Sequence, residues 1–182
     1  MIPIEKQART LWLKYNLPLA KQKHSRLVAV VAIFLARRLK KFRPEFKINQ
    51  RSLKAAAILH DIDKNAAKLP GEHHPDASVR ILREEGMEEI ADLARSHTLE
   101  AILDPTFAPK SWEGKLLFLA DKMVKQEIIT VDQRFLMWNE ERLPSDQQAI
   151  LIASYPRVKA LEREIFDMIH LQPEEVGKHL TR

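Results

Sequence analysis

A histidine and an aspartate stand side by side at the end of an apolar segment, in the sequence AAAILHDIDK (residues 55–64). An ionised carboxylate such as that of Asp61 is costly to bury beside apolar sequence unless a positive charge compensates for it. A divalent cation supplies that charge, and a carboxylate and a neutral imidazole such as that of His60 are both good ligands for it. The pair therefore indicates metal binding, whereas a lone buried histidine is more often a satisfied core residue.

Four further residues of the same chemical types lie near predicted helix ends. Asp121 follows five apolar residues in KLLFLADKMV, and by itself it could equally form an ion pair with a neighbouring lysine or an arginine. His24 begins the most apolar predicted helix, His74 lies in the loop after the pair, and His97 closes a helix. Each residue is ordinary alone, but together they give the order His, His-Asp, His, His, Asp.

The composition narrows the chemistry that the 182-residue chain can perform. It contains no cysteine, which excludes thiolate nucleophiles, disulfides and zinc–sulfur sites and leaves His, Asp and Glu as the strong metal ligands. Only four glycines occur, and they form no glycine-rich phosphate-binding run. The net charge of +5 favours a small anionic partner. Nucleic acid is not expected as a partner, because the basic clusters KQKHSR (21–26) and RRLKKFR (37–43) lack the regularly interleaved aromatic residues that would stack on bases.

The hydrophobic pattern is helical nearly throughout, with no segment of clear period-two alternation. Residues 24–42 are predicted to form an apolar helix that stops before Pro44. Asn49 is predicted to cap the helix that leads to the His-Asp pair, and Ser111 to open the helix that holds the later aspartate. A helix over about 76–85 is predicted to end at Gly86, where a glycine suits the position after the last turn.

The predicted organisation is one all-α domain over residues 1–182, a helical bundle around a metal site. Its core is expected over about 20–140, with C-terminal helices over about 145–182 that either pack on the core or form the face of a homodimer. Pro156 is predicted to interrupt the segment 145–170. No segment resembles a signal peptide or reaches the roughly 18 apolar residues of a membrane span, so we expect a cytoplasmic protein that binds no membrane.

The ordered set of histidines and aspartates resembles the HD-domain superfamily of metal-dependent phosphohydrolases, all-helical bundles that are named for their His-Asp pair and hold one or two metals. HDIDK has the family's HDIxK form, although Asp63 stands where a frequent subgroup has glycine, and the GYP motif of the cyclic-di-GMP branch is missing. The layout is most similar to the small bacterial HD hydrolases of dinucleoside tetraphosphates. The matching stretches are HSRLVAVVAIFLA (24–36), AAAILHDIDK (55–64), HPDASVRIL (74–82), IADLARSHT (90–98) and LLFLADKMV (116–124).

The resemblance implies which side chains would hold metal. Where two ions are bound, Asp61 would bridge them, and His74 and His97 would bind the second ion. His74 is preferred over His73 because the family motif places its histidine directly before proline. The implied ligands of the first ion are His24, His60, Asp61 and Asp121.

The resemblance also implies residues that act on the substrate. Lys64 matches a lysine that approaches the substrate phosphate in related members, so the implied catalytic residues are Asp61 and Lys64. Arg26 is a second candidate for binding the substrate, and it could equally be a surface arginine. Asp63 and Glu72 are candidate acceptors that would fix the tautomer of a ligand histidine.

The expected activity is hydrolysis of a phosphate ester or anhydride, with a nucleotide as the expected substrate. A bound metal lowers the pKa of its water towards about 7 and polarises a phosphoryl oxygen. The ligand set suits one or two ions of Fe, Mn, Co, Ni or Zn without choosing among them. Two alternatives remain open: a mixed-valent di-iron HD oxygenase, and a regulatory module that senses a nucleotide or binds nucleic acid.

Overall fold

Ten α-helices make up the regular structure of residues 2–180, which are the residues described by a computed structural model. The described residues contain no β-strand, only an isolated bridge between Val124 and Ile128, so the all-α prediction is confirmed. No helix in this part of the chain is long and apolar enough to cross a membrane. The helices are α1 (Glu5–Lys14), α2 (Leu19–Phe42), α3 (Gln50–Leu59), α4 (Asp76–Glu84), α5 (Glu88–Arg95), α6 (Leu99–Leu103), α7 (Trp112–Lys122), α8 (Val131–Glu140), α9 (Ser145–Ile169) and α10 (Glu175–Leu180).

The long helix α2 begins earlier than the sequence pattern predicts. It starts at Leu19, so His24 lies in the second turn and not at the first residue. The residues that precede His24 are mostly polar and carry no apolar stripe, and the periodicity therefore does not reveal this first turn. The extra turn places Lys21 one helical turn before His24, where residues three apart share a face.

The predicted helix boundaries at polar and glycine residues are confirmed. Asn49 Oδ1 accepts two backbone N–H groups of the first turn of α3, at 3.1 and 3.2 Å. Ser111 Oγ accepts the N–H of Gly114 at 3.1 Å at the start of α7. Gly86 follows the end of α4 with φ of +72°, a backbone conformation that side chains disfavour. The helices that carry the chemically interesting residues are therefore set by local sequence.

The predicted interruption at Pro156 is wrong, because α9 continues through this residue from Ser145 to Ile169. A proline inside a helix lacks the N–H that would bond to the carbonyl four residues earlier, and its ring crowds that carbonyl. Here the flanking side chains compensate for that loss. Leu151 and Val158, on either side of the proline, are both buried in the same core and keep the two halves of α9 in line.

The hydrophobic core lies between α2, α3, α5 and α7, and α9 packs against α2, α6, α7 and α8. The buried residues of α9 belong to the same apolar cluster as those of α2, α3 and α7. Trp12 ties α1 to this core by donating its indole N–H to the carbonyl of Ile58 at 2.9 Å. α2, α3 and α7 are consequently held side by side, which brings the residues at their ends towards one another.

Candidate metal centre

Six side chains that are distant in sequence converge at one end of the helical core. His60 and Asp61 follow the last residue of α3, where the helix gives way to turns. His60, Asp61, His97 and His24 are almost fully buried, at 0, 4, 3 and 9% exposure. The six residues come from α2, the end of α3, the turn before α4, the turn after α5, and α7: His24, His60, Asp61, His74, His97 and Asp121.

One group of candidate ligands forms around Asp121. Its Oδ1 atom lies 2.9 Å from His24 Nε2 and 3.4 Å from His60 Nε2. Candidate ligand atoms of these three residues all lie within 4.8 Å of one another. Ligands on a tetrahedral ion with bonds of about 2.1 Å stand about 3.4 Å apart, so this spacing suits one metal ion.

A second group forms on the other side of Asp61. His74 Nε2 and His97 Nε2 are 3.1 Å apart, and they lie 3.6 and 3.9 Å from Asp61 Oδ1. The other oxygen of this carboxylate, Oδ2, lies 3.8 Å from His60 Nε2. Asp61 therefore faces both groups, one with each oxygen, as a carboxylate that bridges two ions would.

Each of the four clustered histidines holds its Nδ1 atom against a hydrogen-bond acceptor. A carbonyl or carboxylate oxygen only accepts, so each Nδ1 is placed to carry a proton, and each Nε2 can then bind a cation when the imidazole is neutral. Histidine ligands of metals in proteins are typically oriented in this way. The contacts are His24 with Lys125 O (3.3 Å), His60 with Ala57 O (2.9 Å), His74 with Asp63 Oδ1 (2.9 Å) and His97 with Ala94 O (2.5 Å).

The Nε2 atoms of the four histidines face one another and the two carboxylates, and a cation among them would be favourable. His60 Nε2 is buried and has no hydrogen-bond partner. When both rings are neutral and carry their proton on Nδ1, the lone pairs of His74 Nε2 and His97 Nε2 oppose each other at 3.1 Å and repel unless a cation lies between them. The unsatisfied nitrogen and the opposed lone pairs both fit a divalent metal, for which neutral imidazole is a preferred ligand.

The electrostatic field around the His-Asp pair favours positive charge. Burial alone would raise the pKa of Asp61, but His60, Lys64 and Lys21 outweigh burial and hold that pKa well below its usual range. Burial also favours a neutral His60, yet the charges of Asp61 and Asp121 raise the pKa of its imidazole. The carboxylates thus attract a cation to His60 Nε2, and a metal ion would meet the same attraction.

Asp121 faces the histidines as a candidate metal ligand and also forms an ion pair with a neighbouring lysine, the two alternatives that the sequence leaves open. Its Oδ1 faces the histidines, whereas its Oδ2 accepts a hydrogen bond of 2.6 Å from Lys122. Burial opposes ionisation of Asp121, but Lys122 lowers the pKa of the carboxyl well below its ordinary value. Lys122 is itself 3% exposed and also donates to the carbonyl of His97 at 2.6 Å. Lys125, another lysine close to Asp121 in the sequence, forms an ion pair with Glu141 instead.

Two lysines reach the central carboxylate from different sides. Lys64 Nζ lies 3.6 Å from Asp61 Oδ1. Lys21 Nζ lies 3.0 Å from Asp61 Oδ2, and the sequence analysis missed this residue. Its spacing of three residues from His24 is the signal that could have found it, once the start of α2 is known.

Arg26 does not lie in this cluster. Successive residues of a helix are about 100° apart, so a residue two positions after His24 points away from the face that His24 occupies. The guanidinium carbon of Arg26 lies 5.1 Å from the ring centroid of Trp12, on another surface of the protein. Its expected role in substrate binding was therefore wrong, and Arg26 is not a member of the candidate site.

Of the two carboxylates expected to accept a hydrogen bond from a ligand histidine, Asp63 does so and Glu72 does not. Asp63 is fully buried, and its Oδ1 accepts from His74 Nδ1 at 2.9 Å and from Ser78 Oγ at 2.8 Å. Glu72 instead binds Arg80 through both oxygens, at 2.8 and 3.0 Å, and contacts no histidine. His73 is exposed, whereas its neighbour His74 reaches the cluster.

A cleft of about 390 Å³ opens from the cluster to the surface. Its polar end includes five of the six clustered residues together with the two lysines. A larger groove of about 490 Å³ beside α5 contains none of the clustered residues. The far wall of the cleft comes from α8, α9 and the turn between them and combines apolar with polar side chains: Arg134, Trp138, Glu141, Leu143, Gln147, Ile150 and Leu151.

The model of the HD domain family matches residues 22–137, well over half of the chain. The chain belongs to the HD domain family, as the resemblance of its motifs predicts. The matched region contains all six clustered residues and ends before most of the far wall of the cleft. Comparison with curated proteins and with solved structures gives no significant match.

Proposed function

We propose that this chain is a metal-dependent phosphohydrolase that cleaves a phosphate ester or anhydride of a nucleotide. The family supports the general class, a metal-dependent hydrolase. The observation that carries the proposal is the convergence of four imidazole Nε2 atoms on two buried or half-buried carboxylates at the bottom of an open cleft.

The proposed ligands divide between two ions that share Asp61. His74 and His97 would hold the second ion, together with Asp61. Ions such as Fe, Mn, Co, Ni or Zn, when bound, supply an activated water and polarise the phosphoryl oxygen. The ligands proposed for the first ion are His24, His60, Asp61 and Asp121.

Lysines supply the fixed positive charge that a transferring phosphoryl group requires. Lys64 and Lys21 stand beside different oxygens of Asp61 and reach the cleft, where they can contact phosphate oxygens. Lys122 is buried and acts through other groups, because it fixes both Asp121 and the backbone at His97. We assign Lys64 and Lys21 to substrate binding and Lys122 to positioning.

The far wall supports a nucleotide as the substrate. Trp138 is half-buried and offers an aromatic ring next to the apolar side chains of Leu143 and Ile150. Aromatic and apolar surface suits a nucleobase, and a cleft of about 390 Å³ is within the range of small-molecule sites. Within this class we propose dinucleoside polyphosphates as the first substrates to test, because the motif layout resembles hydrolases of these compounds.

The test is a panel of phosphoesters assayed with each of the five candidate metals. The panel contains nucleoside monophosphates, cyclic nucleotides and dinucleoside tetraphosphates, and both phosphate release and bound metal are measured. His60→Ala is expected to lose bound metal and hydrolysis together. His73→Ala is the matched control, since His73 is exposed next to a proposed ligand, and it is expected to retain both.

Other outcomes of the same panel would contradict the proposal. Hydrolysis by metal-stripped His60→Ala protein at the wild-type rate would refute the metal site. Substrate-dependent oxygen consumption without phosphate release would indicate the di-iron oxygenase alternative. Tight binding of a nucleotide without turnover under any of the metals would indicate a sensing module.

A further inference from the structure

Arg134, on α8, lines the cleft with its guanidinium group largely buried. Its Nε and Nη1 atoms are inaccessible to solvent and have no hydrogen-bond partner among residues 2–180. The guanidinium carbon lies 4.4 Å from the ring centroid of Trp138. Buried polar groups are nearly always hydrogen-bonded, so these two unsatisfied donors need an acceptor that the described residues do not supply. Because Arg134 lines the cleft, a turn of its side chain would present them to an anion that binds there.

The acidic residues near Arg134 do not supply that acceptor. The carboxylates of Asp61, Asp121 and Glu141 attract its charge, while burial lowers the pKa of the guanidinium. Each of these carboxylates is already beside a lysine. Glu141 Oε1 accepts from Lys125 at 2.9 Å, and the other two face Lys21, Lys64 and Lys122 as described above. Arg134 is therefore a cation in the cleft without an anion of its own.

We propose that Arg134 binds a phosphate group of the substrate from the α8 side of the cleft. This inference rests on the proposed function, because it assigns a residue to the same site. A guanidinium presents a planar fork of N–H donors that matches two oxygens of one phosphate group. Its position over Trp138 holds the guanidinium at the edge of the cleft.

The test measures binding of inorganic phosphate to the metal-containing protein by calorimetry. Arg134→Gln is expected to weaken phosphate binding by about 10- to 100-fold, since hydrogen bonds to a charged group are lost. Arg134→Lys keeps the charge without the fork and is expected to fall between glutamine and wild type. Bound metal per protein should be the same in all three forms, because Arg134 is not one of the proposed ligands.

Arg38→Gln is the matched control. Arg38 is half-buried, has a buried Nε atom without a partner, and lies over an aromatic ring, 5.2 Å from the centroid of Phe42. It is on α2 away from the cleft, where its Nη2 donates to the carbonyl of Ile169. Losing this arginine should leave the affinity for phosphate within about twofold of the wild-type value, which corresponds to less than 0.5 kcal/mol by the usual conversion.

Tryptophan fluorescence gives a second readout that does not depend on turnover. Trp12 is buried at 2% exposure and Trp112 stacks on Phe46, so Trp138 is the tryptophan that lines the cleft. Addition of inorganic phosphate is expected to change the fluorescence of wild-type protein and of Arg38→Gln. The change should be absent in Trp138→Phe and shifted to higher phosphate concentration in Arg134→Gln.

The outcomes separate this inference from the proposed function. Unchanged phosphate affinity in Arg134→Gln overturns the inference, even if His60→Ala has lost hydrolysis as the proposed function requires. Weakened phosphate binding in Arg134→Gln supports it, even if the wild-type protein hydrolyses nothing in the panel. Should Arg134→Gln fail to fold, Arg134→Lys decides: weaker binding by threefold or more, about 0.7 kcal/mol, supports the role, and unchanged binding overturns it.

Discussion

Single residues behind the candidate ligands decide which way the imidazoles face. His74 is the most exposed of the four clustered histidines, and its side chain comes from a turn, where the backbone alone constrains it little. Asp63 compensates by accepting the hydrogen bond of His74 Nδ1 while Ser78 holds the same carboxylate oxygen. The buried carboxylate thus fixes both the tautomer and the orientation of His74.

Asp63→Asn is expected to weaken metal binding by about 10- to 100-fold, the usual effect of losing a carboxylate behind a ligand histidine. The amide is nearly the same size as the carboxylate, so the fold should be kept. Competition with a chromogenic chelator measures the affinity. Glu72→Gln is the matched control and should leave the affinity unchanged, because Glu72 binds Arg80 and no histidine. Equal affinities in the two variants would contradict the role of Asp63.

The sequence predicts the clustered residues better than the residues that we propose to contact the substrate. The buried carboxylate of the His-Asp pair stands out because it is costly beside apolar sequence, and the other candidate ligands are recognised by the order that they form with it, which resembles the HD-domain pattern. The structure brings all six together. Lys21 and Arg134 look like surface residues in the sequence, since only tertiary packing reveals a lysine beside Asp61 and a buried guanidinium. Arg26 shows the opposite error, because proximity in sequence to His24 does not place it on the same helix face.

At the scale of elements, α9 continues through Pro156, although a proline disfavours the interior of a helix. The N–H that residue 156 lacks would bond to the carbonyl of Ile152, one turn earlier. Pro156 and Ile152 are both exposed, so water can reach that carbonyl, and the buried residues on the opposite face are undisturbed. Helix propensity predicts a break at Pro156, but the helix continues because the buried face of α9 packs on the core along its length.

Pro156→Ala is expected to raise the free energy of unfolding by about 1–3 kcal/mol, since alanine restores a helical hydrogen bond and fits the helix without strain. Urea unfolding followed by circular dichroism measures the change. Ala160→Pro, four residues later at another exposed position of α9, is the converse variant and should lower stability by about 3 kcal/mol or more. A less stable Pro156→Ala protein would show that the proline has a role in the native packing.

At the scale of the whole molecule, the candidate centre links helices that are far apart in sequence. Its residues run from His24 on α2 to Asp121 on α7, and they span most of the bundle. A ligand that binds only the folded state stabilises that state by mass action. A metal held by these residues would therefore raise the stability of the entire bundle and not only of one turn.

Removal of metal by a chelator is expected to lower the melting temperature by about 5–10 °C when the free metal exceeds its dissociation constant by about 100-fold. Differential scanning calorimetry with and without chelator measures this shift, and re-addition of the metal should reverse it. The His60→Ala protein should melt at the same temperature in both conditions. An unchanged melting temperature of the wild-type protein after addition of the chelator would argue against the metal centre.

The region matched by the family ends at residue 137, and most of the far wall of the cleft lies after it. Under the proposed function, the residues that would hold metal and most of those that would contact a nucleobase lie in separate stretches of the chain. Residues 141, 142 and 144–147, around the turn between α8 and α9, are exposed, and exposed turns accept substitutions and insertions readily. If the proposed function holds, preference for one phosphate compound over another can diverge during evolution without disturbing the histidines, and residues 138–151 are the place for a library of new specificities.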